Sequence, residues 1–214
     1  VSNTEDDNSN LEIIREVNES SKEKKASKNK LVETLETVVV ALVLAIFIRA
    51  TVAEARYIPS ESMVPTLIVK DRLVVEKLSS YTGIPKRGEI IVFYPPFKDN
   101  NMSEDFLPKT LRWLGFTQNV AYIKRVVGLP GETIEVRDGQ VYIDDKAIDE
   151  SSYIKEKPFY DYGPLKLKDD ELFMMGDNRN NSMDSHVWGP LPVKNIIGHA
   201  VLRFWPLNRI STLD

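Results

Sequence analysis

Cysteine is missing from this chain of 214 residues, and histidine nearly so, with only His186 and His199. The first absence removes thiol nucleophiles, disulfides and thiolate metal sites together. It leaves the redox compartment open, since a cysteine-free domain suits either. The second excludes a histidine-rich metal site and leaves two candidates for any histidine base. An excess of one charge is lacking too. The formal net charge is −4, so nothing draws the molecule as a whole to nucleic acid. Long apolar runs are scarce, with one exception near the N-terminus. What is present, 42% hydrophobic and 28% charged residues, fits a globular core, and the length suits one domain with appendages.

Residues 1–30 are polar, acidic first (Glu5, Asp6, Asp7) and then basic (Lys22, Lys24, Lys25, Lys28, Lys30). With few aromatic or β-branched residues they read as a disordered tail, apart from a weak helical pattern over Leu11 to Val17. The apolar run follows: Val38 to Ile48 reads VVVALVLAIFI. Alone it is too short to span a bilayer, which needs about 20 mostly apolar residues. Widened to Thr37–Ala53 it reaches the lower limit with one charge, Arg49, whose long stem can snorkel to the interface. A buried core helix and a cleavable secretory signal, with Ala53-Glu54-Ala55 after it, are the rival readings. The charges Glu33, Glu36 and Arg49 argue against the first, and the long preceding tail against the second. The expectation is an uncleaved anchor helix over residues 31–53. Lysines cluster before it, so the tail is expected to be cytoplasmic and residues 54–214 to lie on the far side.

Beyond Glu54 the pattern is mostly of period two. Strands are expected over 72–78, 89–94, 122–127, 171–175 and 197–205. The clearest hairpin is Thr133–Arg137, Asp138-Gly139, Gln140–Ile143, because Asp-Gly supplies the positive φ of a type I′ turn. Many short strands with Gly, Pro and Asp turns predict a mainly β, antiparallel domain. One segment departs from the pattern. Residues 106–116 are aromatic and basic and read as a local helix packed on the β core, with a membrane-surface contact as the alternative.

A serine hydroxyl needs a base before it is a useful nucleophile. Tyr57 to Leu67 presents Ser60 and Ser62 between Pro59 and Pro65, which bias the chain towards a stiff, extended run. His186, within Asp184-Ser185-His186, suggests a local hydrogen bond, and His199, in an apolar strand, a satisfied structural histidine. Lys124 falls on one face of its strand with Tyr122 and Val126, and Arg125 on the other with Ile123 and Val127. Periodicity alone makes Lys124 an exposed strand lysine; burial would be needed to lower its pKa. Residues 175–189 follow a strand and are dense in hydrogen-bonding groups, as the floor of a site would be. Ser152-x-x-Lys155 has the spacing of penicillin-binding enzymes, but nothing else supports that chemistry.

Ile58–Leu67, Lys124–Gly131 and Gly176-Asp177-Asn178-Arg179 with Asn181-Ser182 and Asp184-Ser185 resemble, in order, the motifs of type I signal peptidases. Arg87–Phe93 resembles a further one, so the likeness runs from about residue 35 to 205. It implies a signal-peptidase-like β fold after one anchor helix, and removal of signal peptides from exported precursors. By position, Ser62 matches the nucleophile and Lys124 the neutral general base of a Ser–Lys dyad. Ser60, with the Ser62 amide, matches the oxyanion hole. Ser182 matches a residue that hydrogen-bonds the lysine; Asp177, Arg179 and Asp184 match structural supports. The likeness also implies Ala-x-Ala cleavage sites, partnership with precursors and a lipid bilayer, no nucleic acid, and no metal or organic cofactor. Three positions depart from the common pattern: Glu61 stands where many members have glycine, and Asn180 and His186 where others have aspartate and arginine. The ending His186–Pro192 resembles the version in photosynthetic bacteria and chloroplasts, which implies a plasma or thylakoid membrane.

Two other classes fit parts of the pattern. A self-cleaving Ser–Lys repressor would carry a DNA-binding helix-turn-helix where the apolar run stands. An inert anchored β domain that binds precursors would differ only in lacking turnover.

Overall fold

Two hydrophobic periods decide two kinds of structure here. The computed structural model describes residues 30, 32–81, 83–97 and 121–213. The expected tail over 1–29 and the aromatic segment 106–116 lie outside them.

The apolar run forms helix α1, Val32–Thr51, long and apolar enough to be a candidate for a membrane span. At about 1.5 Å per residue it matches a hydrocarbon core of about 30 Å. Its large apolar side chains, among them Val40, Leu42, Val43 and Phe47, are exposed along its length. Its two threonines in the first turns are satisfied locally: Thr34 and Thr37 Oγ1 donate to the carbonyls of Lys30 and Glu33, 2.8 and 2.9 Å away. Such back-bonding satisfies these hydroxyls without a partner outside the helix. Ala53 already belongs to a strand, so the helix stops before the small-residue triplet.

Beyond it, strands are the main regular structure of the described residues. A large sheet contains β1 (Ala53–Tyr57), β2 (Arg72–Glu76), β11 (Ile196–Trp205), β3 (Ile90–Phe93), β4 (Tyr122–Gly128), β9 (Glu171–Met175) and β10 (Leu191–Pro192) in that order. β12 (Ser211–Thr212) pairs with β11. A smaller sheet runs β7 (Lys146–Ala147), β6 (Gln140–Ile143), β5 (Thr133–Arg137), β8 (Tyr162–Lys166). Every pairing between named strands is antiparallel. The chain is mainly β, as the period-two pattern predicts. Asp138 and Gly139 take φ of 51° and 70°, the geometry the predicted turn requires. The strands that periodicity misses are β1, β8 and the two-residue pieces. β8 contains Gly163-Pro164, tolerated because it is an edge strand with one side unpaired.

Three apolar clusters hold the sheets. One packs Val127, Ile134, Val136, Val141 and Phe173 where the small sheet meets β4 and β9. A second gathers Ile58, Met63, Leu67, Leu73, Ile90 and Ala200 under the Ser62 stretch. The third joins Ile91, Phe93, Val126, Leu172 and Met174. β4 sits among all three, so residues 124–128 are buried on both faces. Each of the largest of these side chains contributes about 1.5–3 kcal/mol by leaving water. That double cover is what sequence alternation does not reveal, and it decides the environment of Lys124.

Candidate active site

The stretch after β1 turns instead of running extended. Val64 N donates to Glu61 O and Leu67 N to Met63 O, at 3.1 and 2.9 Å. Met63 and Leu67 are buried, and drawing both into the core bends the chain despite its prolines. The turn is clamped from outside by Asn178, whose backbone N donates to Ser62 O and whose Nδ2 donates to Glu61 O, each at 3.1 Å. Ser62 is thereby held nearly buried, with its Oγ 3.4 Å from Ser60 Oγ.

Lys124 reaches this serine from the middle of the large sheet, on β4 between β3 and β9. Its Nζ lies 2.6 Å from Ser62 Oγ and 3.0 Å from Ile123 O. The side chain is not the exposed strand lysine that periodicity gives. Only 4% of the residue is accessible, because β4 is covered on both sides. Burial pushes its pKa down to about 8, against a smaller upward pull from Asp184 and Asp177. About a tenth of this amine is uncharged at pH 7 and about half at pH 8, and the lone pair of the neutral form can accept the Ser62 proton.

The surrounding loops are fixed by paired charges. Asp177, fully buried, takes Arg125 Nε and Nη2 in a bidentate pair at 2.8 and 2.7 Å, and Thr66 Oγ1 donates to it at 2.5 Å. Arg125 Nη1 also reaches Gly88 O at 2.6 Å, and its guanidinium lies over the Tyr153 ring. Arg179, fully buried, forms a bidentate pair with Glu150 at 2.6 and 2.7 Å and donates to Gly176 O. Asp184 caps α2 (Ser185–Trp188), accepting from His186 N, while its Oδ2 accepts from Gly176 N at 2.8 Å. Glu150, Arg125 and Asn178 are thus supports that sequence reasoning did not single out. Glu150 stands alone in a loop and carries no local signal; Arg125 and Asn178 adjoin Lys124 and Asp177.

Gly176 explains itself by contact. A Cβ there would collide with Ser182 Oγ and with the carbonyl oxygen of Ser62. Ser182 itself departs from expectation: its Oγ is buried with no hydrogen-bond partner among the described residues. It does not bond Lys124, whose second partner is the adjacent Ile123 carbonyl, because the lysine approaches along its own strand. His186 behaves as expected, Nδ1 meeting Asp184 Oδ1 at 2.6 Å, with its ring stacked on Tyr160. His199 is only half satisfied: Nδ1 meets Glu89 at 3.2 Å, and Nε2 is buried without a partner among the described residues. Ser152 and Lys155 lie away from any nucleophile–base pair; Lys155 N bonds Asp177 O. Asn180 clasps the 157–159 turn, Nδ2 to Lys157 O and Oδ1 from Phe159 N.

Ser62 and Lys124 open into a cleft of about 470 Å³, lined also by Pro59, Ser60, Ile123 and Met183. A larger cavity of about 710 Å³ lies between the 83–90 turn and β11, beside His199, and holds neither member of the pair. Among the described residues no group of His, Asp or Glu is placed to hold a metal ion. The chemistry that the cleft can perform is proton transfer from a hydroxyl to an amine beside open space for a substrate.

This arrangement has relatives. Residues 31–205 match the family model described as signal peptidase, peptidase S26. Signal peptidase I of Leptolyngbya laminosa is 50% identical over 86% of this chain and 84% of its own length. Probable signal peptidase I-2 of Synechocystis is 46% identical over 94% of this chain and 84% of its own. Thylakoidal processing peptidase 1 of Arabidopsis thaliana chloroplasts is 37% identical over 80% of this chain, which covers 47% of that protein. The chain belongs to the signal peptidase family, peptidase S26, and its activity is that of a signal peptidase I, the cleavage of signal peptides.

Proposed function

We propose that the chain is a membrane-anchored serine endopeptidase in which Ser62 is the nucleophile and Lys124 the general base. The observation that carries this reading is the 2.6 Å contact between Lys124 Nζ and Ser62 Oγ, made by a lysine whose burial favours the neutral amine. Neutral Lys124 accepts the Ser62 proton as Oγ attacks the scissile carbonyl carbon of the precursor. The resulting oxyanion takes hydrogen bonds from Ser60 Oγ and the Ser62 amide, each donor worth about 3 kcal/mol in such a site. Protonated Lys124 then gives its proton to the departing amine of the mature protein, leaving the signal peptide as an ester on Ser62. Water, deprotonated by the same lysine, hydrolyses that ester and restores both residues.

Asp177, Arg179 and Asp184 act on the structure of the site and not on the substrate. Each is buried and paired, and together they fix residues 61–66 and Gly176 against β4. In the domain arrangement we infer, residues 1–30 form a cytoplasmic tail and 31–53 the anchor. Residues 54–214 form the catalytic domain on the trans side of a plasma or thylakoid membrane. The lysine excess before α1 supports this orientation. Anchoring in the membrane through which precursors emerge raises their effective concentration without new contacts. Precursors with small residues in an Ala-x-Ala pattern are the substrates.

The test is cleavage of such a precursor by the full chain in detergent across pH. Wild type is expected to lose activity tenfold per pH unit below an acidic limb near 8, where Lys124 becomes charged. Ser62→Ala and Lys124→Ala are each expected to lose at least about 10³-fold. Activity that survives either substitution would overturn the dyad.

A further inference from the structure

The cleft carries a charged group that the dyad does not use. Glu61 lies between Ser60 and Ser62 and lines the cleft with them. The residue is exposed, and its carboxylate has no hydrogen bond or ion pair among the described residues. Its position is nonetheless fixed, since Glu61 O accepts from both Val64 N and Asn178 Nδ2 at 3.1 Å. The turn therefore roots this side chain at the mouth of the cleft, within reach of whatever occupies it. Among the described residues that line the cleft, Glu61 and Lys124 are the ones of charged type, and Lys124 is almost wholly buried behind Ser62. Among the described residues, the face that a substrate meets is consequently acidic.

We propose that Glu61 is a specificity-determining residue. Its carboxylate favours precursors with a lysine or arginine close to the scissile bond and disfavours those with aspartate or glutamate there. This rests on the reading of Ser62 as the nucleophile. Residue 61 adjoins Ser62, and an extended substrate advances only about 3.3–3.6 Å per residue. The carboxylate therefore acts on side chains within two or three positions of the cleaved bond. At that range, in a site open to water, attraction to one charge and repulsion of the other are screened yet additive in their difference. The consequence is a selectivity for the charge flanking the small-residue motif, separate from the motif itself.

The experiment uses the full chain in detergent and one precursor peptide with an Ala-x-Ala site. A residue flanking the motif is lysine, glutamine or glutamate in three otherwise identical versions. For wild type at low salt, kcat/KM is expected to fall in the order lysine, glutamine, glutamate, with about tenfold between the extremes. The spread is expected to shrink as salt is added. Glu61→Gln flattens the order, and Glu61→Lys reverses it. Cleavage by wild type with no charge order, or an order retained in Glu61→Gln, overturns this proposal and leaves the dyad standing. No cleavage of any peptide by wild type overturns both. If Glu61→Gln moves the acidic limb and slows all three peptides equally, the carboxylate acts through Lys124 and not on the substrate, which also overturns it.

Discussion

Lys124 and Arg125 are neighbours on one strand, both buried, and they meet opposite fates. Arg125 finds Asp177 on its side of the sheet and grips it with two nitrogens, so its charge is compensated where it lies. Lys124 points the other way, to a hydroxyl and a carbonyl oxygen, and no carboxylate among the described residues touches it directly. A guanidinium does not give up its proton, whereas an ammonium taken out of water without a counter-ion does. The same degree of burial therefore yields a structural ion pair from one residue and a base from the next. What separates them is which face of β4 carries a carboxylate.

Breaking the ion pair is expected to give the largest change. Arg125→Met leaves Asp177 buried with Thr66 as its remaining side-chain donor, and removing one partner of such a pair costs about 3–5 kcal/mol. Urea unfolding of the full chain in detergent measures it; a loss under 1 kcal/mol would mean that solvent reaches Asp177.

The neighbouring substitution is expected to go the other way. Lys124→Met removes a group whose folded pKa, about 8, lies below its ordinary 10.5. At pH 7, below both values, the lysine is charged in either state, and the folded chain bears the cost of holding that charge out of water. Its burial then costs about 3 kcal/mol, and the variant is more stable by up to that amount. Between pH 8 and 10.5 the unfolded state binds more protons, so wild-type stability rises with pH and the gain disappears above 10.5. A gain that does not depend on pH would trace to packing alone.

Ser182→Ala is expected to change least. Its buried Oγ has no hydrogen-bond partner among the described residues, so stability should stay level or rise by up to about 1 kcal/mol and the acidic limb should stay in place. A limb displaced in this variant would reveal a Ser182–Lys124 contact formed when substrate binds, and would sharpen the account of how the lysine is held.

Much of this molecule could be read from the chain. The apolar run between charged flanks becomes one helix, and the central strands and the Asp138-Gly139 turn fall where period and turn chemistry place them. Ser62 and Lys124 were legible through resemblance, since each lies in a distinctive run. From periodicity Lys124 was an ordinary surface lysine. The prolines around Ser62 suggested extension, yet burial of Met63 and Leu67 bends that stretch. Glu150 gave no sign at all, because its partner, Arg179, is distant in sequence and an isolated glutamate carries no pattern.

The sequence by itself determined which segments are helix and strand, because those follow from local periods and turn residues. It also determined which short runs carry the chemistry. Only the tertiary structure decided that β4 is covered on both faces, and that residues 62 and 124 meet at hydrogen-bonding distance. It alone decided that Arg125, but not Lys124, finds a carboxylate. Burial and pairing depend on what packs from elsewhere in the chain, and the charge state of a lysine depends on both.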